Sequence, residues 1–299
     1  MSFAAVGHTA ELNGFVLEPA AVDVAQILAG GPPRDGIQAL DAPKTLPAKD
    51  APWEDDERVI GVALAGEARA YPLAILVWHE LVNDTVGGRP ILVSYCPLCG
   101  TGIVFDRRVG GETRSFGVSG LLYLSDLLLY DRETESLWSQ ISAQAVTGPA
   151  LGERLQPLRS RITSWGEWKQ EHPQTRVLSH DTGHDRPYGK DAYAGYAQTE
   201  KLLFPVPKDS RYHPKMPTAG LRLADGSARA YPAAEVLGAG GKVSERFGGH
   251  AVTVAYDGDE GLFSIEAPPG VEVIEGYWFA WAAFHPETEV FTAPSSSQE

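Results

Sequence analysis

Sulfur is scarce in this chain. Its 299 residues include two cysteines, Cys96 and Cys99, and two methionines, Met1 and Met216. Two thiols cannot build the disulfide framework that staples small secreted domains, and a chain long enough to bury a large core does not need one. Clusters of lysine and arginine are missing as well. With 25 basic against 39 acidic residues the formal charge is −14, which excludes the basic footprint that a nucleic-acid partner requires. No apolar run reaches the ~18 residues of a membrane-spanning helix. The opening MSFAAVGHTAELNG lacks the basic start and apolar stretch of a signal peptide. These absences predict a cytoplasmic protein with neither nucleic acid nor membrane as partner, although an exported chain already cleaved of its leader would read alike.

What is present includes an echo. LAGEARAYPLAIL (64–76) resembles LADGSARAYPAAEVL (223–237), and VGGRPILVSY (86–95) resembles FGGHAVTVAY (247–256). A second pair follows, WGEWKQEHPQTRVLS (165–179) against WFAWAAFHPETEVFT (278–292). Near-constant spacing is the mark of an internal repeat. Features common to both halves read as structural, among them the Tyr-Pro pairs at Tyr71 and Tyr231 and the His-Pro pairs at His172 and His285. The cysteines differ: CPLCG in the first half stands against DGDEG in the second, and VWHELVND against GAGGKVSE. His79, Glu80, Cys96 and Cys99 are therefore lost together, as residues of one site would be.

Residues 58–65 and 90–95 carry β-branched residues at strand density, and YPLAILVWHELVND (71–84) has helical apolar spacing behind a proline. LLYLSDLLLYDRETESLWSQ (121–140) reads as two strands. The expected fold is α+β and β-rich, two diverged tandem copies of a strand-helix-strand module packed as one compact protein. The expected organisation is an N-terminal extension over 1–57, a first repeat over 58–180 with the Cys/His site and inserted strands, a linker over 181–220, a second degenerate repeat over 221–292 and a disordered tail over 293–299.

Three readings of the cysteine pair stand open. A thioredoxin-like redox pair wants its first thiol at a helix N-terminus, whereas GTGIVF follows Cys99. Two inert buried thiols are the plainest reading. A metal site built from His79, Cys96 and Cys99 is the favoured one, because thiolates select Cu(I) and imidazole suits copper and zinc. Copper is expected ahead of zinc or iron. Glu80 and Asp126 are candidates to orient the histidine or move protons. Ser119, Tyr123, Ser125, Arg132, Trp138 and Gln140, interleaved with large apolar residues, are candidates for a substrate-pocket wall, although any half-buried strand alternates in this way. His180, His184 and His213 lie in a polar stretch and read as surface residues.

Together GGPPRDGIQALDAPK, GEARAYPLAIL, WHELVND, SYCPLCGTGIVFD, the 116–140 stretch and GYAQTEKLLFPV resemble a prokaryotic family, domain of unknown function 3179, over about residues 24–292. The resemblance implies that His79, Glu80, Cys96 and Cys99 belong to the family pattern. It also implies an altered site if the methionine many members carry at Leu129 is a ligand, and it contrasts with the export signals many members carry. Function is then expected to be that of a metalloenzyme, a metal-dependent oxidoreductase acting on a small molecule. The rivals are a copper-transfer protein, with a metal donor or acceptor as partner, and a thiol–disulfide oxidoreductase.

Overall fold

The computed structural model describes residues 10–294; the tail expected over 293–299 lies outside the described residues from 295 onward. Strands dominate. Five sheets of three to five strands are arranged as a five-bladed β-propeller, and two short two-stranded ribbons accompany them. The α-helices among the described residues are α1 (Leu73–His79), α2 (Trp165–Glu171), α3 (Ala233–Gly238) and α4 (Trp278–Phe284), each six or seven residues long.

The α+β expectation is thereby corrected. The helical spacing of residues 71–84 misleads because only its first half is helix. The chain leaves α1 at Glu80, whose φ of 57° lies in the left-handed region, and Leu81–Val86 continues as a strand. Nor do two tandem modules compose the molecule. Leu40–Asp41 pairs with Leu81–Val86, Thr45–Pro47 with Arg176–Leu178 and Ile27–Ala29 with Phe116–Tyr123, so the N-terminal residues complete three different sheets. The sheet built on Phe116–Tyr123, Asp126–Asp131 and Leu137–Ser139 falls outside the echo altogether.

The echoing segments do share pairing schemes. Arg58–Leu64 pairs with Glu67–Pro72 as Pro217–Leu223 pairs with Ala228–Pro232. Each sheet then adds one antiparallel strand, Ser160–Ser164 or Val271–Tyr277, and one parallel strand, Arg176–Leu178 or Glu289–Val290. Pro72 and Pro232 end their strands and cap α1 and α3, as expected of a residue with no N–H to give and a fixed φ. Trp168 and Trp281 lie so close over Gly61 and Gly220 that a Cβ at either glycine would enter the indole. Each indole N–H then donates to a threonine hydroxyl, Thr175 at 2.9 Å and Thr288 at 3.0 Å.

Around the cysteines one apolar cluster gathers Cys96 and Cys99 of the CPLC hairpin, Leu129 and Trp138 of a second sheet, and Trp278 and Trp281 of α4. Tyr193, Tyr196, Leu202 and Phe204 pack against it. The supposed linker therefore folds over this part of the molecule.

Candidate functional site

Cys96 ends the strand Arg89–Cys96, and the turn that follows returns the chain to Thr101, its partner across the hairpin. The Cys99 N–H donates to the Cys96 carbonyl at 3.2 Å, and Gly100 closes the turn at φ 64°, a conformation that favours glycine. From the neighbouring sheet the Tyr277 N–H donates to the Cys99 carbonyl at 2.8 Å. Backbone bonds thus fix the turn that carries both thiols.

A second hairpin meets them. Tyr123 pairs with Asp126, leaving Leu124 and Ser125 as a two-residue loop with φ of 52° and 67°. Two left-handed residues make the turn type whose twist suits adjacent strands, and it normally takes Asn and Gly. Here it turns the Ser125 carbonyl toward the thiols: the Cys99 Sγ donates to it at 3.4 Å and the Cys96 Sγ lies 4.0 Å from it. Asp126 follows, fully buried.

One ligand atom from each of Cys96, Cys99 and Asp126 lies within 4.8 Å of the others. The Asp126 Oδ2 accepts from the Ile141 N–H at 3.1 Å, while its Oδ1 and the Ser125 hydroxyl are buried without a hydrogen-bond partner. Orphaned buried polar atoms are rare, because each forfeits its hydration. Burial pushes the Asp126 carboxyl up to about 7, against the opposing pull of the Ile141 and Leu127 amides, the Ser139 hydroxyl and the Cys96 thiol. Glu80 is raised to about 7, chiefly by burial and then by Asp126. The Cys99 thiol is held well above its ordinary value by burial, with Cys96 and Asp126 adding to the effect. Among the described residues no salt bridge reaches either carboxyl.

His79 does not join this group. Its Nδ1 bonds the Gln38 carbonyl at 2.7 Å and its Nε2 the Tyr188 hydroxyl at 2.6 Å, so both nitrogens are engaged. Burial lowers its pKa to about 4 and keeps the ring neutral. The ring lies 5.2 Å from His184 and 5.7 Å from Tyr188. Glu80 instead feels the charge of Asp126 and in turn raises the Tyr193 hydroxyl.

The six pocket-wall candidates scatter. Ser125 is at the centre. Ser119 bonds the Leu128 carbonyl, Tyr123 packs edge-on against Phe284, and Arg132 pairs with Asp41 at 2.9 Å. The Trp138 indole donates to Asp131 at 2.8 Å, and Gln140 braces Thr101 and Ser94. Of the remaining histidines, His172 and His285 lie against Trp168 and Trp281 with centroids 4.1 Å apart, and His180 stacks on Trp53 at 4.0 Å. The His213 Nδ1 accepts from the Lys215 N–H at 3.1 Å. Leu129 is core.

Beside the CPLC turn the structure has a cleft of about 130 Å³ that sequence reasoning missed, lined by Tyr95, Tyr277, Asp191, Tyr193, Tyr196 and Gln198. Its signal was the aromatic content of DAYAGYAQ, unusual for a solvated linker.

A β-rich protein with a buried Cys-Cys-Asp cluster at a two-hairpin junction is the class these observations define. The chain belongs to the family described as "Protein of unknown function (DUF3179)", which matches residues 34–268, a span that contains Glu80, Cys96, Cys99 and Asp126. No curated protein and no solved structure matches it. No helix among the described residues is long and apolar enough to cross a membrane.

Proposed function

We propose that this protein binds one metal ion between Cys96, Cys99 and Asp126 and uses it as a metalloenzyme on a small molecule. The observation that carries the reading is the convergence of three buried donors, one of them with an oxygen that bonds nothing. Buried thiols and a carboxyl with no cationic partner are costly to ionise unless a cation compensates. Metal binding supplies that compensation and releases protons as the thiolates form. Zinc fits this donor set better than copper. The case for copper leaned on imidazole, and His79 spends both nitrogens elsewhere, whereas thiolate and carboxylate donors together are ordinary for zinc.

Three protein donors leave a coordination position free, the arrangement of catalytic rather than structural zinc. Glu80, with a pKa raised to about 7 by burial and the charge of Asp126, is suited to hold or release a proton near neutral pH. A copper-transfer role wants an accessible, shallow site, while the three donors are at most 1% exposed. A thiol–disulfide cycle wants a stabilised thiolate, and burial raises the Cys99 thiol instead.

Elemental analysis of protein purified without a metal-affinity step tests the reading. We expect about one zinc per chain, lost in Cys96→Ser and Asp126→Asn but kept in His79→Ala. A metal-free wild-type chain that also takes up no added zinc overturns it.

A further inference from the structure

We propose that the cleft beside the CPLC turn is a binding site for a small organic cation of the alkylammonium class, formed by Tyr95, Tyr193, Tyr196 and Tyr277 around the carboxylate of Asp191. Four phenols and one acid line a space of about 130 Å³. Methylated ammonium groups are recognised by aromatic side chains gathered around the charge, whose ring quadrupoles attract it while their carbon surface accepts its methyl groups. The cleft gathers four such rings and one acid. Its tyrosines are half-buried and Asp191 is exposed at the rim.

The Asp191 carboxylate is built in rather than incidental. Its Oδ1 accepts from the Tyr193 N–H at 2.8 Å, and its charge is felt by the Tyr95 and Tyr277 hydroxyls. Tyr193 and Tyr196 stand edge to face with centroids 6.2 Å apart. The Lys215 ammonium sits 3.9 Å from the Tyr196 centroid while it donates to the Thr199 and Lys201 carbonyls, so Tyr196 contributes its edge of the cleft with one internal cation already beside it. Among the described residues, Tyr95, Tyr193 and Tyr277 carry no such internal cation. Arg58, whose charge also reaches Tyr95 and Tyr277, donates to the carbonyls of Glu260 and Gly261 at 2.5 and 3.1 Å. The net charge of −14 favours the approach of a cation over an anion.

The site stands independently of the metal, because none of its lining residues is a metal donor. It adjoins the metal centre all the same: Pro97, between the two cysteines, lines the same cleft.

Calorimetric or NMR titration of the full chain tests this with two probes of one shape, choline and its neutral carbon isostere 3,3-dimethylbutan-1-ol. The cation is expected to bind about tenfold more tightly than the alcohol, the margin that a few desolvated cation–π contacts supply. Asp191→Asn, which keeps the oxygen that caps Tyr193, and Tyr193→Leu are expected to lose most of that preference. Tyr193→Phe, which retains the ring, is expected to keep it. Equal binding of the two probes, or no binding of either, overturns the proposal. Equal loss in the Phe and Leu variants assigns the effect to the hydroxyl and overturns the cation reading as well. Repeating the titration on Cys96→Ser separates the two proposals, since the cleft is expected to bind choline unchanged in a chain that has lost its metal.

Discussion

His79 and Glu80 are neighbours in the chain, yet one backbone angle sends them to different environments. At Glu80 the left-handed φ of 57° ends α1, leaving the imidazole bonded to Gln38 and Tyr188 and the carboxyl under the influence of the Asp126 charge. Burial then shifts them in opposite senses: the histidine, lowered to about 4, stays neutral, and the acid, raised to about 7, holds its proton well above the ordinary carboxyl range. His285 is in the same condition as His79, its pKa lowered to about 4 by burial and by Arg222, and its Nε2 has no partner. A histidine whose folded pKa lies below its unfolded one contributes stability above the unfolded value and loses it as pH falls through the folded value. Between about pH 6.5 and 4 the two histidines therefore cost stability as pH falls, against Glu80, Asp126 and Glu275, whose burial raises them to about 7, 7 and 8 and which add stability over the same descent. His285→Phe, which keeps a ring against Trp281, is expected to gain stability relative to the wild type as pH falls through that range. Chemical denaturation of both chains at several pH values measures the difference, and a difference that does not change with pH removes His285 from the acid response.

The elements themselves were partly legible. The β-branched stretches at 58–65 and 90–95 are strands, and 121–140 contains strands joined by a turn. What the sequence could not reveal is tertiary. Asp126 reaches the cysteines only because Leu124 and Ser125 adopt a turn that their residue types do not advertise. The clue that could have raised Asp126 from proton carrier to ligand was a lone acid amid YLSDLLLY, a carboxyl destined for burial. His79 misled for the reverse reason: spacing on a helix says which residues share a face, not what faces them. At this scale the glycines beneath the tryptophans carry a direct test. Gly61→Ala and Gly220→Ala each force a methyl into an indole, with an expected loss of about 1–3 kcal/mol for overpacking. Thermal unfolding measures both, and a cost-free alanine at either position means the indole can move aside.

Across the whole molecule, distant pairings hold the sheets together. Residues 27–29, 40–41 and 45–47 each supply the outer strand of a different sheet. A chain beginning at Arg58 lacks all three and exposes the edges they cover, and unpaired edges invite aggregation. We expect such a chain to lose the cooperative unfolding transition of the full protein and to precipitate. A soluble, cooperatively folding truncation would make the extension dispensable.

The segment that folds over the cysteines has a further consequence in time. Tyr193 and Tyr196 lie about 100 residues beyond Cys99, and a ribosome adding ~5–20 residues per second needs roughly 5–20 s to make them. Through that interval the nascent chain carries the two thiols without the cover of that segment. Capture of a metal ion in that window would protect them from oxidation, and a chain that emerges without one has to finish its fold around thiols already open to damage.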